Sequence, residues 1–142
     1  YEAPVYSTWS AFDRTQRIRV MQAKEEGCRI ELRSPDSAAN PYLALAICLK
    51  AGLDGIKNEI MPPKSMGWNL ELLSSLEKEE RGIEEIPATL LEAVVEMKKD
   101  TFIKNVLGEY AYETYMELKK QEWDEYKAQI SEWELGQYLN RY

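Results

Sequence analysis

Histidine is absent from the 142-residue sequence, and cysteine and phenylalanine occur only twice each. Without histidine the chain can supply neither a Ser-His or Cys-His nucleophile pair nor a histidine-rich zinc site. Glycine is also sparse, with 7 residues, and no phosphate-binding loop of the P-loop or dinucleotide type occurs. Any catalytic site in this chain must therefore use arginine and carboxylate chemistry.

Long apolar runs are missing as well. No stretch of about 18 apolar residues occurs, and the first residues lack the basic start and apolar centre of a signal peptide. We therefore expect no membrane partner and a cytoplasmic location. Cys28 and Cys48 lie in apolar surroundings in the sequence, which predicts small buried side chains in a reducing compartment rather than a disulfide or a metal site.

The charge balance argues against nucleic acid as a partner. The chain has 18 basic and 25 acidic side chains, a formal net charge of -7, so its surface as a whole repels phosphate backbones. Hydrophobic content of 44% and charged content of 30% are typical of a globular protein of one ordinary domain.

The pattern of side chains predicts an α+β fold, with short antiparallel strands from Ser7 to Arg33 followed by a mainly helical region. Apolar and charged residues alternate with period two over residues 16–20 and again over 28–33. The polar connector between these runs ends in Gly27, which favours a hairpin or a nearby antiparallel pair.

Helices are predicted after residue 37. Asn40 followed by Pro41 is a strong helix start, and the next turns, from Tyr42 to Leu53, are apolar on nearly every side, which predicts a buried helix. Loops and short helices should follow over residues 61–82. Pro87 then opens another helix, and Gly108 precedes a long one over residues 109–130.

An apolar stripe runs along the last helical region, at spacings of three, four and seven residues. Such a stripe usually forms a core, but its many aromatic side chains also suit a helix that docks into a partner subunit. Its members are Tyr112, Met116, Trp123, Tyr126, Ile130 and Trp133.

Five arginines fall within twenty residues of this acidic chain, at positions 14, 17, 19, 29 and 33. Alternation along a strand places Arg29, Glu31 and Arg33 on one face. Guanidinium groups match phosphate and carboxylate oxygens, and a carboxylate among them can hold a divalent cation that bridges phosphates. The alternative is a set of cross-strand salt bridges in which Glu31 merely neutralises its neighbours.

Six ordered segments resemble the C-terminal catalytic signature of glutamine synthetases, above all the type I bacterial enzymes. They are YEAPVY, WSAxxR, which ends at Arg14, IRV, RIELRSPD, AANPYL and AGLDGIKN. The likeness continues through IPATL and EWDEY, so it covers essentially the whole chain. The resemblance identifies residues 1–142 as the C-terminal segment of the catalytic domain. Residues 1–36 would be the strand region with the active-site arginines, and residues 37–142 the helical region.

The resemblance implies ATP-dependent ligation of ammonia to glutamate through a γ-glutamyl phosphate, with Mg²⁺ or Mn²⁺. By position in the motif, Glu31 is similar to a ligand of the metal that bridges the nucleotide phosphates. Arg14 and Arg33 resemble the catalytic and substrate-binding arginines that meet the transferred phosphoryl group, Arg33 also meeting the glutamate carboxylate. Arg19 and Arg29 resemble the arginines that hold the ATP phosphates. The full-length protein would form a dodecamer.

Four positions depart from the family pattern. Asp13 replaces the usual asparagine, Arg17 an apolar residue, and Met21 and Ser37 prolines. Asp13 matters most, because a carboxylate beside a phosphate site opposes the transition-state charge or recruits a further cation. This leaves open a γ-glutamyl ligase for another amine. A non-catalytic helical assembly module remains a further alternative.

The other family metal-ligand glutamates, the histidine ligand, the flap over the glutamate site and the N-terminal domain precede the matched region in the family pattern. The sequence also opens at Tyr1 rather than at methionine. We therefore expect that the chain begins inside a longer polypeptide, and that this segment alone is inactive.

Overall fold

The computed structural model describes residues 4–11, 13, 16–21, 27–67, 70–139 and 141, apart from the side chain of residue 71. The chain forms two compact units, Tyr1–Ala88 and Thr89–Tyr142. In the described part, all strands precede residue 36 and all helices follow it, which confirms the predicted α+β class. The division into domains at residue 36 stays a prediction.

A small sheet of three strands forms the start of the first unit: β1 (Trp9–Ser10), β2 (Ile18–Met21) and β3 (Arg29–Leu32), in that order across the sheet. β2 and β3 pair in antiparallel fashion, as the alternating patterns predicted. β1 differs, because it runs parallel to β2, with Trp9 opposite Ile18. The antiparallel prediction therefore holds for β2 and β3 only.

Helix α1 (Pro41–Lys57) begins where the sequence predicted. The side chain of Asn40 accepts hydrogen bonds from the backbone N–H groups of Tyr42 and Leu43, and Pro41 occupies the first turn. The predicted burial of this helix is wrong in this structure, because none of its residues is buried. The sequence showed that the helix is apolar, but no described element covers its outer faces.

The rest of the first unit is short helices and loops, as predicted. A 3-10 turn (Leu70–Leu72) and α2 (Ser75–Glu80) are followed by a segment that pairs with the start of the chain. Ser7 N–H donates to the carbonyl of Glu84 at 2.8 Å, and Ile86 N–H donates to that of Val5 at 2.8 Å. These bonds tie the residues before β1 to residues 84–86.

The second unit consists of α3 (Leu90–Lys99), α4 (Thr101–Leu107), α5 (Glu109–Lys127) and α6 (Glu132–Tyr138). Its buried cluster is Val94, Tyr112 and Met116, against which partly buried side chains of α3 and α4 pack. The hydroxyl of Tyr112 donates to the carbonyl of Met97 at 3.2 Å. The predicted start at Pro87 is shifted, because α3 begins at Leu90, after its cap Thr89.

Met116→Ala should destabilise the second unit by about 2–5 kcal/mol, because it leaves a cavity between α3 and α5. Chemical denaturation of the purified chain, followed by circular dichroism, measures the change. Leu118→Ala is the matched control, since Leu118 is 58% exposed on the same helix and its loss should cost far less. Equal losses for the two variants would contradict this description of the core.

Two helix starts are capping boxes, at Ser74 with Glu77 and at Ser131 with Glu134. At each, the carboxylate accepts hydrogen bonds from the backbone N–H and the hydroxyl of the capping serine, and these bonds lower the pKa of Glu77 and Glu134. A lowered pKa means that this contribution is present above the ordinary value near 4.5 and is lost as the pH falls through the folded-state pKa.

The apolar stripe of the last region is a core only at its beginning. Tyr112 and Met116 are buried, whereas Tyr126, Ile130 and Trp133 are 69%, 72% and 65% exposed. The stripe therefore divides into a packed half on α5 and an open aromatic half that reaches α6.

The prediction of buried cysteines is also wrong in this structure. Cys28 and Cys48 are both free and exposed. Cys28 directly precedes β3, and Cys48 lies on α1, where no residue is buried. Within the described ranges, no helix has the length and apolar character needed to cross a lipid bilayer.

Candidate active site

The candidate site is the charged face of β2 and β3. Their register places Arg19 directly opposite Glu31, and Met21 opposite Arg29. Directly opposed side chains in an antiparallel pair are close enough to interact. The pairing thus brings three of the predicted site residues, Arg19, Arg29 and Glu31, into one cluster.

Glu31 lies between two guanidinium groups. Its Oε2 accepts a hydrogen bond from Arg19 Nη1 at 3.3 Å, and its Oε1 lies 3.8 Å from Arg29 Nε. The side chains of Arg19 and Glu31 are 21% and 36% exposed, whereas that of Arg29 is 64% exposed. The Arg19–Glu31 ion pair is a cross-strand pair of the kind that the sequence left open, and the Arg29–Glu31 pair lies within β3. The role of Glu31 as a metal ligand stays a prediction.

Arg19 carries a donor that the ion pair does not satisfy. Its Nε atom is buried and has no hydrogen-bond partner among the described residues. A buried, unpaired N–H group on a cation is costly, and an acceptor oxygen from a ligand would remove that cost. This atom is a structural indication that the face accepts an anion.

Arg33 follows directly after β3. Its backbone N–H donates to the carbonyl of Arg17 at 2.9 Å, which continues the antiparallel ladder one step beyond the strand, and its Nη1 atom is buried. Arg14, the other predicted catalytic residue, lies outside the described residues. The structure therefore describes four of the five predicted site residues, and their roles stay predictions.

Asp13, the departure from the family pattern, belongs to a polar group beside the sheet. Its backbone N–H donates to the hydroxyl of Ser10 at 3.2 Å, and its carboxylate accepts from Gln16 Nε2 at 3.3 Å. Gln16 is fully buried, and its other amide atom accepts a hydrogen bond from the hydroxyl of Thr8. Asp13 is thus linked through Gln16 to Thr8, and the contact between Gln16 and Thr8 is buried.

The sequence interpretation missed this buried glutamine. It placed Gln16 with Ile18 and Val20 on the apolar side of a strand, and a polar residue in that place was the available signal. It counted Arg17 among the local positive charges and as a departure from the family pattern, but assigned it no partner. In the structure, Arg17 donates to the hydroxyls of Ser34 and Ser7.

Among the residues that the structure describes, no group of three or more histidine, cysteine, aspartate or glutamate side chains could hold a metal ion. Glu31 could supply one oxygen ligand. This arrangement suits a cation such as Mg²⁺ that is held partly by the phosphates of a nucleotide.

Guanidinium groups around one carboxylate have the chemistry to bind phosphate oxygens, and comparison with known proteins gives the family. Residues 1–138 match the family model described as "Glutamine synthetase, catalytic domain". The chain belongs to this family.

Curated relatives agree with the family match. Glutamine synthetase from Methanosarcina mazei is 52% identical over 140 residues, which are 99% of this chain and 31% of the relative. The enzyme from Clostridium saccharobutylicum is 47% identical over 142 residues, 100% of this chain and 32% of the relative. The chain therefore spans about a third of the length of these relatives.

A solved structure has the same fold. The structure described as "Apo GmaS without ligand" matches with a TM-score of 0.76 and 34% sequence identity, over 97% of this chain and 31% of that chain. Both kinds of comparison place the likeness along nearly the full chain, so it extends from the sheet through the helices.

Proposed function

We propose that this chain supplies the nucleotide and glutamate half of a glutamine synthetase site in a longer protein. That protein ligates ammonia to glutamate with ATP, through a γ-glutamyl phosphate. The observation that carries the proposal is the position of Glu31 between Arg19 and Arg29, together with the buried Nε–H of Arg19, which has no acceptor among the described residues. Membership of the glutamine synthetase family supports it.

The arginines act as fixed positive charges. Arg19 and Arg29 bind the ATP phosphates, and Arg33 and Arg14 meet the transferred phosphoryl group, Arg33 also holding the glutamate carboxylate. Phosphoryl transfer needs mainly positioning and stabilisation of charge on the transferred group, which planar guanidinium donors supply. Charges held on a sheet need little rearrangement as the reaction proceeds.

Glu31 serves as one ligand of a Mg²⁺ or Mn²⁺ ion that neutralises phosphate charge. In the structure its two oxygens face Arg19 and Arg29. If nucleotide phosphates were bound by Arg19 and Arg29, the carboxylate of Glu31 would be free to supply an oxygen ligand to the cation.

Assembly is part of the proposal. The open aromatic half of the stripe offers Tyr126, Ile130 and Trp133 to a partner subunit, and Trp133 stacks edge-on against Tyr138 with ring centroids 6.3 Å apart. Exposed aromatic patches of this kind are typical of protein interfaces. We propose a homo-oligomer, a dodecamer for the full-length protein. A cytoplasmic location suits two exposed free thiols.

A ligase for a different amine is the second candidate, and Asp13 is the observation that favours it. Its carboxylate, held by Gln16, adds a negative charge on the connection between β1 and β2 that the family pattern does not have. An added carboxylate can attract a cationic amine larger than ammonium.

A substrate panel on the full-length protein tests the proposal. Glutamate, ATP and Mg²⁺ are supplied with ammonium, a simple primary amine or a polyamine, and phosphate release and the amide product are measured. We expect glutamine formation that depends on ATP and ammonium. Turnover with another amine but not with ammonium would select the second candidate, and no turnover with any amine would overturn both.

A further inference from the structure

Arg17 lies directly before β2, at the edge of the sheet where β1 and β2 begin and β3 ends. Its Nε donates to the hydroxyl of Ser34 at 3.1 Å, and its Nη1 donates to the hydroxyl of Ser7 at 3.2 Å. Its backbone carbonyl accepts from the N–H of Arg33 at 2.9 Å. One residue thus joins the segment before β1, the start of β2 and the end of β3.

The partners of this guanidinium are neutral. Among the described residues, Arg17 forms no ion pair with a carboxylate, in contrast to Arg19 and Arg29. A guanidinium is a planar fork whose N–H groups point in fixed directions, so it can bridge two acceptors that an ammonium group cannot hold in the same way. The geometry therefore suits a connection between segments better than neutralisation of a nearby acid.

The contacts of Arg17 fix the chain at Arg33 and Ser34. Ser34 is the next residue in the chain, so the end of β3 is held to Arg17 twice, through the backbone of Arg33 and through the side chain of Ser34. Ser7 is itself held by its N–H to the carbonyl of Glu84, which gives the bridge a second fixed end. Side chains locked by such contacts hold catalytic groups more closely to a productive geometry.

We propose that Arg17 is a positioning residue that sets the direction of Arg33. The inference rests on the proposed function, in which Arg33 meets the glutamate carboxylate and the transferred phosphoryl group. The family pattern has an apolar residue at this position. The contacts of Arg17 with Ser7 and Ser34 are therefore a feature of this chain that the family pattern does not assign.

The test uses four variants of the full-length protein: Arg17→Met, Arg17→Lys, Ser34→Ala and the double variant Arg17→Met with Ser34→Ala. A displacement of about 1 Å at a reacting group can cost roughly 100-fold in rate. We expect Arg17→Met to lower kcat/KM for glutamate about tenfold, with KM for ATP unchanged. Arg17→Lys keeps the charge but should not restore the rate.

The serine variant separates positioning from direct binding. If Arg17 acts through Ser34, Ser34→Ala should reproduce part of the loss, and the double variant should be no slower than Arg17→Met alone. Melting temperatures are measured in parallel. Arg81→Met, at an exposed arginine after α2, is the matched control and should leave kcat/KM unchanged.

Several results would overturn the inference. Full activity of Arg17→Lys with no effect of Ser34→Ala would show that Arg17 acts by charge alone. Lower melting temperatures with unchanged kcat/KM would show a purely structural role. An active wild type with unaffected variants would overturn this inference only, whereas an inactive wild type would overturn the proposed function and this inference with it.

Discussion

Glu31→Ala in the full-length protein is expected to lower kcat for glutamine formation by about 10²–10³-fold, a loss typical of removing one group that stabilises transition-state charge. The change removes the carboxylate that faces Arg19 and Arg29 and leaves both guanidinium groups without their ion-pair partner. The cation loses one ligand, so the Mg²⁺ concentration needed for half-maximal rate should rise, whereas Arg19 and Arg29 remain available to the ATP phosphates. Steady-state kinetics with ATP and Mg²⁺ varied separately measure this split.

Two further variants make the result specific. Glu31→Gln keeps the size of the side chain but loses the charge, and it should be nearly as slow as Glu31→Ala if the carboxylate binds a cation. Glu80→Ala changes an exposed glutamate at the end of α2 and should have no effect. Full activity of Glu31→Ala would remove Glu31 as a metal ligand and leave the cross-strand ion pair as its whole role.

The 142-residue chain alone is expected to form no glutamine from ATP, glutamate and ammonium. Glu31 is one carboxylate, and the part of the chain that the structure describes contains no group of three metal-ligating side chains. Sites that transfer phosphoryl groups need cations to neutralise the charge that develops. A coupled assay of ADP release and a direct assay of glutamine check this. ATP- and ammonium-dependent glutamine formation by the chain alone would contradict it.

The exposed apolar face of α1 provides a control for the expected inactivity of the isolated chain, because self-association through this face could also abolish activity. Tyr42, Leu45, Leu49, Leu53 and Ile56 follow one another at spacings of three and four residues and are 52% to 81% exposed. Contiguous apolar surface of this kind promotes association in water. Sedimentation of the isolated chain should show self-association that Leu45→Glu with Leu49→Glu reduces. If the loss of activity came from association alone, this double variant would recover it.

The sequence predicted the elements that depend on local chemistry. The start of α1 follows from Asn40 and Pro41, whose cap and fixed φ act within a single turn, and the start of α5 follows from Gly108, which has a φ of 78°. The pairing of β2 with β3 also followed, because alternation over two nearby runs sets both faces. These features need no information about distant residues.

The features that the sequence could not predict depend on what packs against an element. Cys48 on α1 and Cys28 beside β3 were expected to be buried because their neighbours are apolar, but apolarity does not show which other surface covers a residue. The parallel pairing of β1 with β2 could not be predicted, because a strand of two residues is too short to show an alternation of apolar and polar side chains. Gln16 was assigned to the apolar face of a strand, but its hydrogen bonds with Thr8 and Asp13 depend on how the chain before β2 folds back, which the pattern does not show.

For the site, the sequence alone indicated a positive face but could not choose between an anion cradle and salt bridges. Register then placed Arg19 opposite Glu31, and family membership supports the cradle. The contribution of Arg17 needed atomic distances, because its serine partners lie 10 and 17 residues away along the chain.

The connections between the helices of the second unit are very short, which affects how fast this unit should fold. Asp100 is both the C-cap of α3 and the N-cap of α4, and Gly108 alone separates α4 from α5. The helices that surround Val94 and Met116 are therefore close neighbours in the sequence. Helical units whose contacts are mostly local in sequence fold in about microseconds to milliseconds, because only small loops must close. The hydrogen bonds between residues 5–7 and residues 84–86 instead join segments that are far apart in the sequence, so refolding should be fast for the helices around Val94 and slower for the formation of these bonds.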